Sequence, residues 1–393
     1  MSQVGVCCFD DPSLAGEGWA CVAGGEARRV NGYAGLSPDV LWVTNLSYKQ
    51  HSDLNLRKTP YIFDCQYFRT PLYVLMAELG LSDNPEEAVT VLSEVFTRMH
   101  NLAVTQFGIP EGERGYRFTS MLASLLTPRA HRRKPSTPYA ADLESAINQS
   151  VQYNQVSFGG KAPSNTRVVG FVFPRGSYGR WVLSQPMPSA TNWKKFEARD
   201  ASSEFGTENG KVLSGTKSTL QRLNQLGQKH AGFLKVSVVS MDEFYAQFAQ
   251  FGNGSQKPRG WATIPEIIEM ARYSRLKLSH GYLCDLETLP LYEKAEIDSG
   301  EYSLSRSLLI ENLWAGLSMP IHGSPRSTAL AAYLRAYDRI ALGRVAEEFE
   351  RQNISVGSYS TGRLVAYVRD GEGRAAYDLA MRCGMLPPMD MVG

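Results

Sequence analysis

The sequence predicts a mixed α/β (α+β) protein. Short apolar runs separated by turn residues fill the first seventy positions, as in a meander of strands. Helix starts with strong caps occur at Asn84 and Thr263. A long helical pattern over 326–350 leads straight into a hairpin pattern over 354–370.

The elements follow in order. "VGVCCF" reads as a strand, "DDPSLAGEG" as a turn, "WACVAGG" and "EARRVNGYA" as returning strands, and "DVLWVTNL" and "YIFDCQYF" as two more. "TPLYVLMAELG" has helical spacing and stops at Gly80. In "DNPEEAVTVLSEVF" Asn84 is a cap, Pro85 the first helical residue and Glu87 the acid three places on. "TPRAHRRKPSTP" (127–138) is proline-rich and basic, and reads as a linker or exposed loop. "ADLESAINQSVQ" is helical, and "RVVGFVF", "GRWVLS" and "GFLKVSVVS" read as strands. "TIPEIIEMARYS" is a helix, "LKLSHGYLC" a strand and "SRSLLIENLWAGLS" a helix; residues 193–231 are polar and helix-tending. Over 326–350, Leu330, Tyr333, Leu334, Tyr337, Ile340, Ala341 and Val345 form one apolar stripe.

Bulk properties exclude several classes. The 393 residues suffice for two domains, and 43% hydrophobic with 20% charged residues is ordinary for a globular chain. The 41 basic and 39 acidic residues give a net charge of +2, so a nucleic-acid surface would have to come from local clustering. Six scattered cysteines without CxxC spacing read as buried thiols in a reducing setting. No secretory signal is expected at the N-terminus, and no run reaches the roughly 18 apolar residues of a membrane span. The histidines lack metal-ligand spacing, so no zinc site is expected, and with no G-x-S-x-G, Walker A or Rossmann fingerprint no cofactor is expected.

The order of elements in the second half resembles the palm and fingers of family B DNA polymerases, especially the protein-primed branch. "SFGGK" (157–161) is similar to the family's Gly-Gly turn before the palm, and "WVLSQPMPSAT" resembles the first metal-binding motif through Pro188, Ser189 and Ala190. "LLIENLWAG" resembles the fingers motif, with Asn312 and Gly316 retained, and the turn Tyr359–Arg363 falls where the family carries a Y-x-D-T-D-S hairpin. In the first half "CCFDDP" resembles a proofreading-exonuclease strand ending in D-x-E, "TNLSYKQ" its second motif through Asn45 and Leu46, and "YIFDCQYF" the segment that follows. The resemblance implies an exonuclease-like (RNase H-like) lobe over 1–150 and a palm/fingers-like lobe with an antiparallel sheet over 151–393.

The departures bear on chemistry. Two-metal phosphoryl transfer needs carboxylates, because hard divalent cations take charged oxygen ligands. On this resemblance the palm carboxylates become Val182, Ser360 and Gly362, the triphosphate-gripping lysine becomes Leu308, and the exonuclease acids become Pro12 and Lys49. No catalytic residue is therefore expected, nor a thumb in the segment after the hairpin. Arg129, Arg132, Arg133, Lys134, Lys161, Arg180 and Arg363 are the candidate phosphate contacts. The expected role is a catalytically inactive, nucleic-acid-binding or scaffold component of viral or mobile-element replication or packaging. Single-stranded nucleic acid and proteins of that assembly are its expected partners, in the cytoplasm or a virion. Two alternatives stand beside it: a structural, capsid-type assembly protein, and a metal-dependent nuclease using Asp10, Asp11 and Asp64.

Overall fold

The computed structural model describes residues 3–109, 117–135, 137–151, 156–157, 162–197, 217–241, 260–289, 303–321 and 326–388. The protein is mixed α/β, with three sheets and helices, and divides into two compact units. Unit 1 comprises Met1–Leu126, Arg175–Gly179 and Lys294–Gly316; unit 2 comprises Thr127–Pro174, Arg180–Glu293 and Leu317–Gly393. No helix among the described residues is long and apolar enough to cross a membrane.

Unit 1 is built on a five-stranded sheet of β1 (Val4–Phe9), β2 (Glu17–Val22), β3 (Arg28–Asn31), β4 (Leu41–Thr44) and β5 (Ile62–Phe63), in the order β3-β2-β1-β4-β5. β1 to β3 are antiparallel neighbours, and β4 joins β1, and β5 joins β4, in parallel. A central strand covered on both faces should be apolar throughout, and all six residues of β1 are buried. Gly5 is needed there: a Cβ would lie 2.5 Å from the Trp42 ring. The helix Pro85–Phe107 covers β1 and β2. The Asn84 side chain accepts from the Glu87 amide, and Gly108 ends the helix at φ 64°. Phe68 packs 4.3 Å from Phe96 and 5.3 Å from Phe118, centroid to centroid, in the core below the sheet.

Unit 2 holds two sheets. The first is a long antiparallel ribbon of β10 (His230–Met241) and β12 (Ser274–Glu287), flanked by β8 (Met187–Pro188), β9 (Lys194–Glu197) and β11 (Trp261–Thr263). The second has four antiparallel strands, β6 (Val156–Ser157), β13 (Ser355–Ser360), β14 (Arg363–Arg369) and β7 (Thr166–Val172), in the order β6-β13-β14-β7. Alternate residues Leu364, Ala366 and Val368 of β14, and Val169 and Phe171 of β7, enter the core, so the other face of that sheet is the open one.

The helix Ala329–Arg351 is the spine of unit 2. It is bonded to the short helix Ile264–Met270 by two arginine–glutamate pairs. Arg339 donates from Nε (3.0 Å) and Nη2 (2.7 Å) to Oε1 of Glu266, and Arg344 donates to both oxygens of Glu269 at 3.0 and 2.7 Å. Glu266 is also the acid of the capping box, accepting from the Thr263 amide and hydroxyl through Oε2. Arg339 and Glu266 are 3% and 0% exposed. Such a pair persists only because neighbouring groups satisfy both charges; here Ser150 O accepts from Arg339 as well.

Four expected elements differ, one of them the helix-tending stretch 193–231, where Lys194–Glu197 is a strand paired with β12. "GRWVLS" lies in a helix, Arg175–Ser184, rather than a strand, because Arg175 at its first turn is bound by Glu78 and by Glu311 of unit 1, partners far away in sequence. "YIFDCQYF" is extended only at Ile62–Phe63: Asp64 accepts from the Gln66 amide and turns the chain, while Tyr67 and Phe68 enter the core from the turn. Residues 127–135 contain a helical turn, Arg129–Arg132, whose His131 is buried and bonded to Glu287 at 3.0 Å.

Two outcomes follow. Glu266→Ala leaves a buried guanidinium uncompensated and is expected to lower unfolding free energy by about 3–5 kcal/mol, read by urea denaturation. Burial raises the Cys8 and Cys284 thiols from 9.0 to about 12. The folded state then favours the protonated thiols. Their contribution to stability is complete below pH 9 and declines as pH rises towards 12. The urea midpoint should fall across that range, and fall less in Cys8→Ala than in wild type.

Candidate nucleic-acid interface

β13 and β14 are joined by a two-residue turn, Thr361–Gly362, with φ 52° and 72°. Positive φ at both central residues is the hairpin geometry that matches strand twist, and glycine adopts it without steric cost. Thr361 needs support, and it comes from Asp338 of the helix Ala329–Arg351. Asp338 Oδ2 accepts from the Thr361 amide at 2.6 Å and Oδ1 accepts from the Gly362 amide at 2.7 Å. The carboxylate is 4% exposed. Its two oxygens thus face the backbone of the turn.

The strand beside this turn is β7. The Phe173 amide, just past its end, donates to Gly362 O at 2.8 Å. Phe173 and Pro174 are therefore the strand-end residues next to the tip, and neither carries a carboxylate. Val182 sits beyond them in the helix Arg175–Ser184, wholly buried in unit 2. Ser360 and Gly362 flank Thr361 at the tip. Among the described residues Asp338 is the acid bonded to the turn, and no motif in the sequence marks it. A signal was available: Asp338 follows Leu334 by four places on the apolar stripe, where an acid must be buried and therefore bonded.

Arg363 opens β14. A Cβ on Gly170 of β7 would lie 2.5, 2.8 and 3.0 Å from its Nη2, Nε and Cζ, so the guanidinium rests broadside on that glycine. Arg363 is exposed, and among the described residues no carboxylate pairs with it. Arg129, Arg132, Arg133 and Lys134 are all exposed and follow one another along 129–134. Arg132 Nε donates to Thr127 O at 2.7 Å, and Arg133 O accepts from Arg326 at 3.3 Å. Arg180 is half-buried on its helix beside Trp181, which is 39% exposed. Lys161, with most of the "SFGGK" turn, lies outside the described residues.

In unit 1 the acids near the ends of β1 and β5 carry partners of their own. Asp10 receives Arg29 at 3.1 and 2.6 Å through both oxygens. Asp11 accepts from the Ser13 hydroxyl and amide at 2.6 and 2.8 Å, bonds that hold its carboxyl below the usual range. Asp64 pairs with Arg117 at 2.8 Å. Pro12 lies in the turn after β1 and Lys49 is exposed on the helix Tyr48–Asp53. Asn45 brackets the backbone of Phe9, accepting from its amide (2.9 Å) and donating to its carbonyl (2.8 Å). Leu308 is a core residue of unit 1. Asn312 accepts from the Arg69 amide at 2.9 Å, and a Cβ on Gly316 would meet Thr119 O at 2.5 Å, so both residues have packing roles. Among the described residues no group of three His, Cys, Asp or Glu side chains is placed to hold a metal ion.

No family model matches the chain, and no curated protein matches it. Solved structures that the chain matches include those of Phi29 DNA polymerase. Its orthorhombic crystal form gives a TM-score of 0.44 at 9% identity, covering 93% of this chain and 80% of that one. Its post-translocation binary complex with primer-template DNA gives 0.45 at 8% identity, with the same coverage of each chain. Its complex with single-stranded DNA gives 0.43 at 9% identity, again covering 93% and 80%.

Asp338→Ala removes two charge-assisted hydrogen bonds and leaves two amides at a strained turn. It is expected to cost about 2–4 kcal/mol and to speed hydrogen exchange at Thr361 and Gly362 ahead of the β14 core. Exchange unchanged at those two amides would contradict this role for the carboxylate.

Proposed function

We propose that the protein binds single-stranded nucleic acid and carries out no phosphoryl transfer, acting as a polymerase-like component of the replication or packaging of a virus or mobile element. The observation that carries this reading is the make-up of the hairpin tip. Where two-metal chemistry needs exposed carboxylates, the tip offers Ser360, Thr361 and Gly362, with Phe173 and Pro174 alongside. The acid at the turn, Asp338, is buried and bonded to amides. What the surface offers instead is positive: Arg363 next to the tip and the run Arg129, Arg132, Arg133 and Lys134.

The exonuclease-like acids support the same reading. Asp10 and Asp64 are neutralised by Arg29 and Arg117, and a guanidinium held against a carboxylate opposes the arrival of a cation. An anion, by contrast, is favoured by exposed arginines. The viral or mobile-element setting rests on the resemblance to the protein-primed polymerase branch.

Two measurements test the proposal together. With a primed template and Mg²⁺ or Mn²⁺, neither extension nor digestion is expected; metal-dependent digestion lost in Asp10→Ala would favour the nuclease reading instead. Fluorescence anisotropy with labelled dT₁₂ should report binding that weakens with salt. Single strands give a slope of about −0.7 per phosphate contact, so the four-residue run predicts roughly −2 to −3 in log K against log salt. Replacing Arg132, Arg133 and Lys134 by alanine should flatten that slope by about 2. Absence of salt-sensitive binding would remove the proposal.

A further inference from the structure

The open face of the hairpin sheet carries a second planar side chain laid on a second glycine. A Cβ on Gly357 of β13 would meet Cζ and Oη of Tyr367 at 2.9 Å and Cε2 at 3.1 Å. Tyr367 faces Ser355 across the ladder, and Gly357 is the residue skipped where the register shifts between Val356 and Ser358. Arg363 makes a regular diagonal contact with Gly170, which lies opposite Val365. Long side chains reach diagonal positions on a sheet. What is unusual is that both positions are glycine, which weakens a strand interior and commonly marks a close approach. At 170 and 357 the approach is by the guanidinium of the exposed Arg363 and by the hydroxyl end of the half-buried Tyr367 ring.

Between these two planes the surface is apolar. Val168 stands opposite Tyr367 and is 65% exposed, although it belongs to a sheet whose other face is core. Val365 lies between Arg363 and Tyr367 on β14 and shares their face. Neither Arg363 nor Tyr367 has a hydrogen-bonding side-chain partner among the described residues.

We infer that this face is a stacking platform for single-stranded DNA, in which one base lies on the Arg363 guanidinium, a second on the Tyr367 ring, and Val168 and Val365 contact what lies between. The inference rests on the nucleic-acid reading above and gives it a place. The chemistry is specific. Exposed π-faces and a guanidinium plane are what unstacked bases bind, without regard to sequence. The charge of Arg363, which no carboxylate among the described residues pairs, complements a phosphodiester backbone. DNA is favoured over RNA because valine methyl groups flank the strand's path, and a 2′-hydroxyl set against them loses water without gaining a partner. A duplex, its bases already stacked, gains nothing from the two planes.

The two glycines make the test sharp, because they allow the platform to be disturbed without touching either stacking group. Binding of dT₁₂, U₁₂ and a blunt duplex is measured by anisotropy for wild type, Tyr367→Ala, Tyr367→Phe and Gly357→Val. Circular dichroism and a thermal melt accompany each variant. Wild type should bind dT₁₂ more tightly than U₁₂ or the duplex. Tyr367→Ala should weaken dT₁₂ by about 5- to 100-fold with an unchanged salt slope, since stacking and not charge is lost. Tyr367→Phe should bind like wild type, and Gly357→Val should behave like Tyr367→Ala although the tyrosine remains. As a readout independent of variant folding, wild-type protein is photocrosslinked to a 5-bromodeoxyuridine-substituted strand, and Tyr367 should be among the modified residues. If wild type binds dT₁₂ but Tyr367→Ala binds equally well, or the crosslinks avoid β7, β13 and β14, the platform is overturned while the nucleic-acid reading stands. If U₁₂ or the duplex binds as tightly as dT₁₂, the commitment to single-stranded DNA is overturned. If wild type binds no nucleic acid, both fall.

Discussion

A carboxylate that is 4% exposed must find its partners locally, and for Asp338 those partners are the amides of Thr361 and Gly362. That contact fixes the hairpin tip against the helix Ala329–Arg351. It also holds a non-glycine residue in a left-handed conformation, which costs energy unless something compensates. The rest of unit 2 is arranged around the same helix. Arg339 and Arg344 bond it to Glu266 and Glu269, and the Tyr333 hydroxyl both accepts from and donates to Gly232 of β10. The turn is therefore pinned by an element that is itself held at several points along its length.

The consequence for chemistry is one of allocation. A carboxylate whose two oxygens each accept a short amide bond in a buried turn is poorly placed to coordinate a hydrated divalent cation, which demands several accessible oxygens at once. The same allocation recurs in unit 1. Asp10 is bonded to Arg29, Asp64 to Arg117, and Asp11 to Ser13, so charged oxygens near the strand ends are committed to protein groups. Arg363, which no carboxylate among the described residues pairs, is exposed. Surface chemistry of that sign attracts phosphate.

How much of this could be read from the sequence depended on the range of the interaction. Caps are local, and the starts at Asn84 and Thr263 were legible because the bonded groups lie within three residues of each other. The hairpin was legible for the same reason: its period-two pattern and its turn are contiguous. The helix Arg175–Ser184 was not, because the short apolar run Trp181-Val182-Leu183 reads as a strand as readily as a helix. What makes it helical lies elsewhere: Arg175 bonds Glu78 and Glu311, and Gly179 lets the helix backbone approach Ile310, where a Cβ would lie 2.6 Å from Cγ2. The tip residues Ser360 and Gly362 could be singled out by motif order. Asp338 could be found only by asking why an acid occupies an apolar stripe. The pairing of Arg363 with Gly170 and of Tyr367 with Gly357 needed the register of three strands, which no local pattern contains.

We propose that Asp338, its oxygens bonded to the turn amides, is not a divalent-cation ligand at the tip of the β13–β14 hairpin. Electron paramagnetic resonance of Mn²⁺ titrated into the full chain measures this directly, since bound ion is lost from the free-ion signal. The account predicts a free signal that rises in proportion to added Mn²⁺ from the first equivalent, identically in wild type and Asp338→Asn. A stoichiometric site that fills in wild type and disappears in Asp338→Asn would contradict it.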